Sequence, residues 1–469
     1  MVKDSYTYVN LVIKPYKFEK VLDLKIEEEI NEHTKVYIRG IINEDDVDKY
    51  VESASDMDEI EIYLKNDDSQ DILFAGMVTN INIEAKGNVR ELEVYGISAT
   101  FLMDIVKKER SYQNKAMTYM DLFNETIKDY PNAGFTDEIL EGKNIEKLIV
   151  QYRETDWEFA KRLASHFNSF VAPNKYFNGP KFYIGVLKNL KNYNLEEFDY
   201  SIKKDLMDYK LKHDNEIEDL MEQNLISYEI NSEKVLELCQ MIEFKNRKLY
   251  VYKSIIGIKD SRLHNRYYLM DMKGLARRKK YNEAIKGVSL FGSVADIEKD
   301  MVMIKLDIDE NNPKSGSMWF QYSTVYSSED GSGWYFMPEK NDRVKLYFPD
   351  DKEENAFVES SVNLQSKDQS RRQNPEIKSL ATKYGKEIRF QKGSVEIISN
   401  GGLLIRLSDN GGIEINSNKE VQIKSDGNIE LNSSKILMEG DEGISLKQGE
   451  AVLNILEDIT LSGGKVNIE

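Results

Sequence analysis

Asp307, Asp309 and Asn311 stand at alternate positions, the spacing at which the first half of a calcium loop presents oxygen ligands. Asn312 occupies the place where such a loop needs glycine, and Met318 the place of the closing glutamate, so the stretch reads as an acidic hairpin tip. The four histidines, His33, His166, His213 and His264, are far apart and form no HExxH or Cys/His pattern. Cys239 lies among apolar neighbours in VLELCQMIEF and reads as a buried structural thiol. The chain has 82 Asp and Glu residues, enough to guarantee chance carboxylate pairs, so none of them marks a glycosidase site. No GxSxG, Walker or dinucleotide fingerprint is present. Arg277–Lys280 (RRKK) reads as a solvated linker, with an anion site as the alternative. Trp319, Trp334 and Tyr335 could stack a ligand, but packing inside a small barrel accounts for them better. No catalytic, cofactor-binding or metal-ligating residue is expected.

The elements carry more information than these motifs. From Gly385 to Glu469 short phrases (KEIRFQK, SVEIIS, LLIRLS, GIEINS, EVQIKS, NIELNS) place apolar residues two apart, separated by Gly, Asn, Asp and Ser. Alternation at period two predicts strands with one buried face, and the turn residues predict a repeat of about eight residues. One chain cannot close a core with such strands, because a single-chain β-helix needs roughly twenty residues or more per circuit. Three chains, each supplying one face per layer, can. The predicted element is an intertwined three-chain β-prism, with Ile397, Ile405, Ile415, Ile423, Leu431, Met438, Leu446, Ile455 and Leu461 in its core. About eleven phrases at the ~4.8 Å strand spacing give a rod on the order of 50 Å long. An antiparallel meander is the alternative, disfavoured by the lack of long strands and of hairpin pairs of matched length.

At 469 residues, 40 % of them hydrophobic, the chain can build several cores. A net charge of −18 argues against nucleic acid as a partner. One cysteine, no signal-peptide core and no apolar run of transmembrane length predict synthesis in the cytoplasm without a signal peptide. Residues 1–105 read as strands, and TYMDLFNETIKDYP as a helix ended by Pro131. In RETDWEFAKRLASHFN, Thr155 and Glu158 form a capping box for a helix whose apolar face carries Trp157, Ala160, Leu163, Ala164 and Phe167. Residues 170–280 are mixed, with 203–224 ambiguous. Residues 285–363 hold five short strands, the signature of an OB-type barrel, and 364–379 are polar without periodicity.

GSGWYFMPEKNDRVKLYFPDD, Gly331–Asp351, resembles the OB signature of the VgrG-like spike family: Trp319, Gly333, Trp334, Pro338, Asp342 and Val344 match its pattern. Asn341 stands where that family usually has glycine. YRETDWEFAKRLASHF is similar to the family's hub motif, on Arg153, Asp156 and Trp157. The resemblance covers essentially the whole chain. It implies a mainly β protein with an α+β hub: a phage hub-like domain of two β-barrel-like modules plus helices (1–280), an OB-fold barrel (281–363), a linker (364–384) and a C-terminal trimeric intertwined β-prism (385–469). It further implies a homotrimeric central spike and hub of a contractile injection machine (phage tail, tailocin or type VI-like), assembled into a particle that acts outside the cell. The implied partners are tail tube and baseplate proteins, a PAAR-like tip protein, effector cargo and the target cell envelope, and not nucleic acid. Val466 and Ile468 are the expected tip-binding end, because three apolar ends would meet there uncovered. No lysozyme-like insertion separates barrel and prism, so peptidoglycan cleavage is not expected. The alternative is a tailspike-type β-rod that binds or cleaves glycans. It is disfavoured because sugar sites stack rings on aromatics, and Phe390 is the only aromatic residue after Gly385.

Overall fold

The computed structural model describes residues 6–455 except 57, 66–69, 188–191, 197–198, 216, 260, 310–315 and 364–371. Asn311, Asn312, Leu461, Val466 and Ile468 therefore lie outside the described residues. The chain divides into two units, Met1–Gln365 and Ser366–Glu469. No described helix is long and apolar enough to cross a membrane.

Strand formation in the first unit follows the alternation in the sequence. Lys35–Ile42 buries Val36, Ile38, Gly40 and Ile42 on one face and leaves the intervening residues more open. Strands Leu11–Lys14, Glu59–Lys65, Gln70–Lys86, Val89–Ile97, Lys35–Ile42 and Lys20–Glu29 pair in that order as a first β-module around an Ile- and Leu-rich core. The sheet continues without a break into Arg247–Lys259, Arg262–Met270, Ile226–Ser232 and Tyr200–Lys204, a second module with its own core. At the seam, Lys20–Glu29 runs antiparallel to Arg247–Lys259, and Ile26 lies opposite Ile256 with both side chains fully buried. The seam also buries a charge. Glu28 accepts hydrogen bonds from Ser254 Oγ at 2.8 Å and from Lys175 Nζ, and both charged residues are almost inaccessible to solvent. The ambiguous stretch 203–224 contains a helix, Leu206–His213, capped by Asp205.

An α+β segment sits between the modules in sequence. Strands Lys107–Tyr112 and Ile149–Thr155 pair antiparallel. Helix Tyr119–Ile127 buries Leu122 and Phe123, and helix Asp156–Ser165 buries Trp157, Phe159, Ala160, Leu163 and Ala164 in the same core. The stretch 289–361 contributes five described strands, ordered Trp319–Gln321, Met301–Leu306, Ser289–Glu298, Arg343–Tyr347 and Phe357–Ser361, all antiparallel neighbours. A bridge between Tyr322 and Val358 joins the two edges and closes the sheet on itself. Its core includes Leu148, Val150 and Tyr152, so the strand that leads into helix Asp156–Ser165 is also part of the barrel's packing.

The second unit differs from the expected prism. Lys378–Ala381, Glu387–Gln391, Ser394–Ser399, Leu403–Ser408 and Gly412–Asn416 form an antiparallel meander within one chain. Its hairpins close through Gly385, Gly401, Gly402 and Gly412, all at positive φ, which lets strands of four to six residues fold straight back. Lys378–Ala381 falls in the stretch expected to be linker. It is a strand because Leu380 pairs with Ile388 and extends the apolar row by one position. Residues 417–443 have no ladder partner among the described residues, and Ile444–Gln448 pairs with Ala451–Ile455 as a hairpin.

Candidate functional site

Two places carry the chemistry of this molecule. One is the helix that joins modules and barrel in the first unit; the other is the two-faced sheet of the second.

The helix begins at the predicted capping box. Thr155 Oγ1 accepts from Glu158 N, and Glu158 accepts from Thr155 N at 2.9 Å. Asp156, in the first turn, is fully buried but well satisfied. Tyr130 Oη donates to it at 2.7 Å and Gln151 Nε2 at 3.0 Å, while Lys108 Nζ lies 2.7 Å and Arg110 3.4 Å away. A carboxylate at a helix N-terminus is favoured by the dipole as well. Trp157 is buried, donates from Nε1 to Asn31 O at 3.3 Å and packs on His33 with ring centroids 4.8 Å apart, which fixes the helix to the first module. Arg153 is exposed, with φ 51°, and lies over the Tyr152 ring. Asp156 and Trp157 thus form the internal part of the motif and Arg153 its outer rim.

The sequence reading missed the residue that ties this helix to the barrel. Arg162, 2 % exposed, donates from Nε to Glu154 at 2.8 Å, from Nη1 to Glu353 at 2.8 Å and from Nη2 to Val150 O at 2.7 Å. Burial pushes the Glu154 carboxyl up against the lowering effect of Arg162. A second tie is Asp309. Ser111 donates to its carboxylate from both N and Oγ, each at 2.7 Å, and all these groups are buried. Asp307 is paired with Arg343. The two aspartates, in the connection between the paired strands Met301–Leu306 and Trp319–Gln321, are therefore engaged with protein groups, and Asp309 is buried rather than solvated as an acidic tip would be. Among the described residues no group of three or more His, Cys, Asp and Glu could hold a metal ion. Cys239 is buried, and burial pushes its thiol pKa well up, so it has little nucleophilic character.

His166, just past the helix, is held neutral. Burial, then Arg162 and Lys279, push its pKa down to about 3. Burial also lowers that of His33, more than Asp104 raises it. Both groups are depressed in the folded state, so the unfolded chain takes up more protons below the ordinary histidine range, and stability falls as pH falls. His166 alone is expected to contribute a loss of about 2 kcal/mol between pH 6.5 and pH 5. The check is the urea midpoint at pH 7 and pH 5 for the native chain and for His166→Phe; the variant should lose most of this pH dependence.

The barrel residues matched by the resemblance divide between core and surface. Val344 is fully buried, Pro338 is buried, and Asp342 accepts from Glu339 N at 2.8 Å to set the turn into the strand. Asn341 has φ 72°, a left-handed conformation that asparagine tolerates. Gly333 has φ 139° and lies against the Tyr326 backbone. Trp319 is half-buried on its strand opposite Met303. Trp334 and Tyr335 are not in the barrel core: they are 46 % and 69 % exposed, with the Phe336 ring tilted at 42° beside Trp334. The reason is local. Trp334 N donates to Tyr326 O and Ser328 N to Ser332 O, so the loop is held by its own hairpin bonds rather than by core packing.

In the second unit the register sorts residues onto two faces. Leu380, Ile388, Ile397, Ile405 and Ile415 lie directly opposite one another in succession, and Phe390, Val395, Leu407 and Ile413 form a parallel row on the same face. Ile397, Ile405 and Ile415 are 48, 39 and 62 % exposed, an apolar surface with nothing on it in one chain. The other face carries an ion-pair ladder, Arg389 to Glu396 to Arg406 to Glu414, with distances of 2.9 to 3.4 Å. Beyond it, Ile423, Leu431 and Met438 are exposed along the unpaired stretch, and Leu446 and Ile455 share one face of the last hairpin.

Comparison with known proteins bears on the fold. The structure resembles the E. coli c3393 protein, a component of the type VI secretion system with structural similarity to the T4 bacteriophage tail proteins gp27 and gp5; the TM-score is 0.52 and the identity 12 %, over 75 % of this chain and 99 % of that one. It also resembles the Francisella PdpA–VgrG complex in its half-lidded form, with a TM-score of 0.52 and 10 % identity over 84 % of this chain and 83 % of that one. The lidless PdpA–VgrG complex gives the same TM-score over 93 % of its chain. A family model for the Alg8 N-terminal domain matches residues 17–175. That range stops between Val171–Pro173 and Lys181–Ile184, two paired strands of one sheet, so it does not coincide with a folded unit. No curated protein matches the chain.

Proposed function

We propose that this chain, which has the fold of VgrG-like spike proteins, is the central hub and spike of a contractile injection machine, a homotrimer that caps the tube and pierces the target envelope. The observation that carries this reading is the bare apolar face of the Lys378–Asn416 sheet. A continuous apolar sheet face of this kind is a contact surface. Its partners are the same faces of two further copies, because the neighbouring repeats through Ile423, Leu431 and Met438 have the same period and no strand partner among the described residues. The ladder on the opposite face pairs its own charges, with Arg389, Arg406 and Glu414 partly exposed around the buried Glu396. Tube and baseplate proteins, a PAAR-like tip protein and effector cargo are the partners this role entails.

The first unit suits a load-bearing role. One sheet spans both modules, and the seam between them is fastened by the buried Glu28–Lys175 pair. Three copies of two β-modules present six modules, a match for a six-fold tube. The test is to mix the purified chain with assembled tube protein from the same gene cluster and image the tube ends. One particle at one end of each tube is expected. Tubes with no particle at either end, or with particles along their sides, overturn the assignment.

A further inference from the structure

The basic run Arg277–Lys280 is an irregular connection with Arg278, Lys279 and Lys280 exposed, as a solvated linker would be, but its backbone is held in place. Arg277 N donates to Asn168 O at 3.0 Å, Asn168 Nδ2 donates back to Arg277 O at 3.0 Å, and Lys280 N donates to Ser165 Oγ at 2.9 Å. The run is therefore fastened at both ends, against the end of the helix Asp156–Ser165. It forms one wall of a cleft of about 830 Å³ within the first unit, to which Lys107 and Lys161 also contribute. Among the described residues none of Lys107, Lys161, Arg277, Arg278, Lys279 and Lys280 has a carboxylate within ion-pair distance.

The acidic residues of the same cleft, Glu154, Glu158, Asp208, Glu283 and Asp351, are fewer than its nine lysines and arginines. Glu154 is engaged by Arg162, Asp208 by Lys212, and Glu158 caps its helix. Arg277 Nε is buried and has no hydrogen-bond partner. Burial, then Lys161, Arg277 and Arg278, hold Lys280 below the usual lysine range, as a cation among uncompensated cations would be. This is a concentrated positive potential on a chain of net charge −18.

We infer that this cleft is a docking site for an acidic peptide segment of a partner protein, which its unpaired lysines and arginines would hold by carboxylate contacts. The space favours a peptide over a single inorganic anion: the cleft is of the size that receives a ligand of many atoms, and its cations come from three separate stretches of chain. Carboxylates of the segment would take up the donors that the protein's own acids leave free. The inference rests on the first unit alone and stands independently of the spike assignment.

The test uses the full chain and a fluorescein-labelled hexaglutamate peptide, read by anisotropy across a salt series. Binding that weakens with salt is expected. Arg278 and Lys279 are exposed, so Arg278→Glu/Lys279→Glu should fold normally, with an unchanged melting midpoint, and bind about tenfold more weakly. The exposed pair changed in Lys419→Glu/Lys424→Glu, in the other unit, should leave binding as it was. No binding at low salt, equal loss in both variants, or tighter binding of tripolyphosphate or duplex DNA than of the peptide would overturn the inference. In the first case the run serves only to end the helix.

Discussion

Ile405→Lys is expected to convert the assembled protein to single chains without unfolding them. Ile405 lies at the centre of the apolar face, with Ile397 and Ile415 directly opposite on the two neighbouring strands. In one chain the position is 39 % exposed, so a lysine there can reach water and costs the isolated sheet little. In three chains packed face to face, three ammonium groups would be desolvated beside one another. An unpaired buried charge costs several kcal/mol, and like charges add to it. The readout is the mass in solution together with far-ultraviolet dichroism. A variant that remains assembled would show that this face is not the contact surface.

The second large effect belongs to Arg162. Replacing it by methionine keeps most of the volume but leaves the carboxylates of Glu154 and Glu353 without their cation in a largely buried site. Breaking a buried ion pair by removing one partner costs about 3–5 kcal/mol, because the remaining charge is uncompensated. The loss should appear as a lower urea midpoint for the first unit, and Arg162→Met/Glu353→Met should recover part of it. If the single variant unfolds at the native midpoint, the helix and the barrel are not fastened through this network.

Local features were readable from the residues themselves. Thr155 and Glu158 announce the helix, because a capping box is made within four consecutive residues. The period-two alternation of residues 35–42 announces a half-buried strand for the same reason. What could not be read was pairing across long stretches of chain. Arg162 meets Glu353 across 191 positions, and Ser111 meets Asp309 across 198. An arginine on an apolar helix and an aspartate among other acidic residues carry no local sign of those partners. Large aromatics usually pack in a core, but Gly331 and Gly333 turn Trp334 and Tyr335 outward on a self-bonded hairpin. In the C-terminal repeats the alternation marked one apolar set, and its members at 388, 397, 405 and 415 share one face. It did not give strand direction, since short strands joined by Gly-rich turns can fold back as easily as climb.

Two further copies of the same chain are expected to cover the apolar face of the second unit. The measurement that tests this most directly is the mass of the full-length chain by light scattering coupled to size exclusion, at micromolar concentration. Three chains per particle, unchanged on dilution, is the predicted result. A mass of one chain would contradict it.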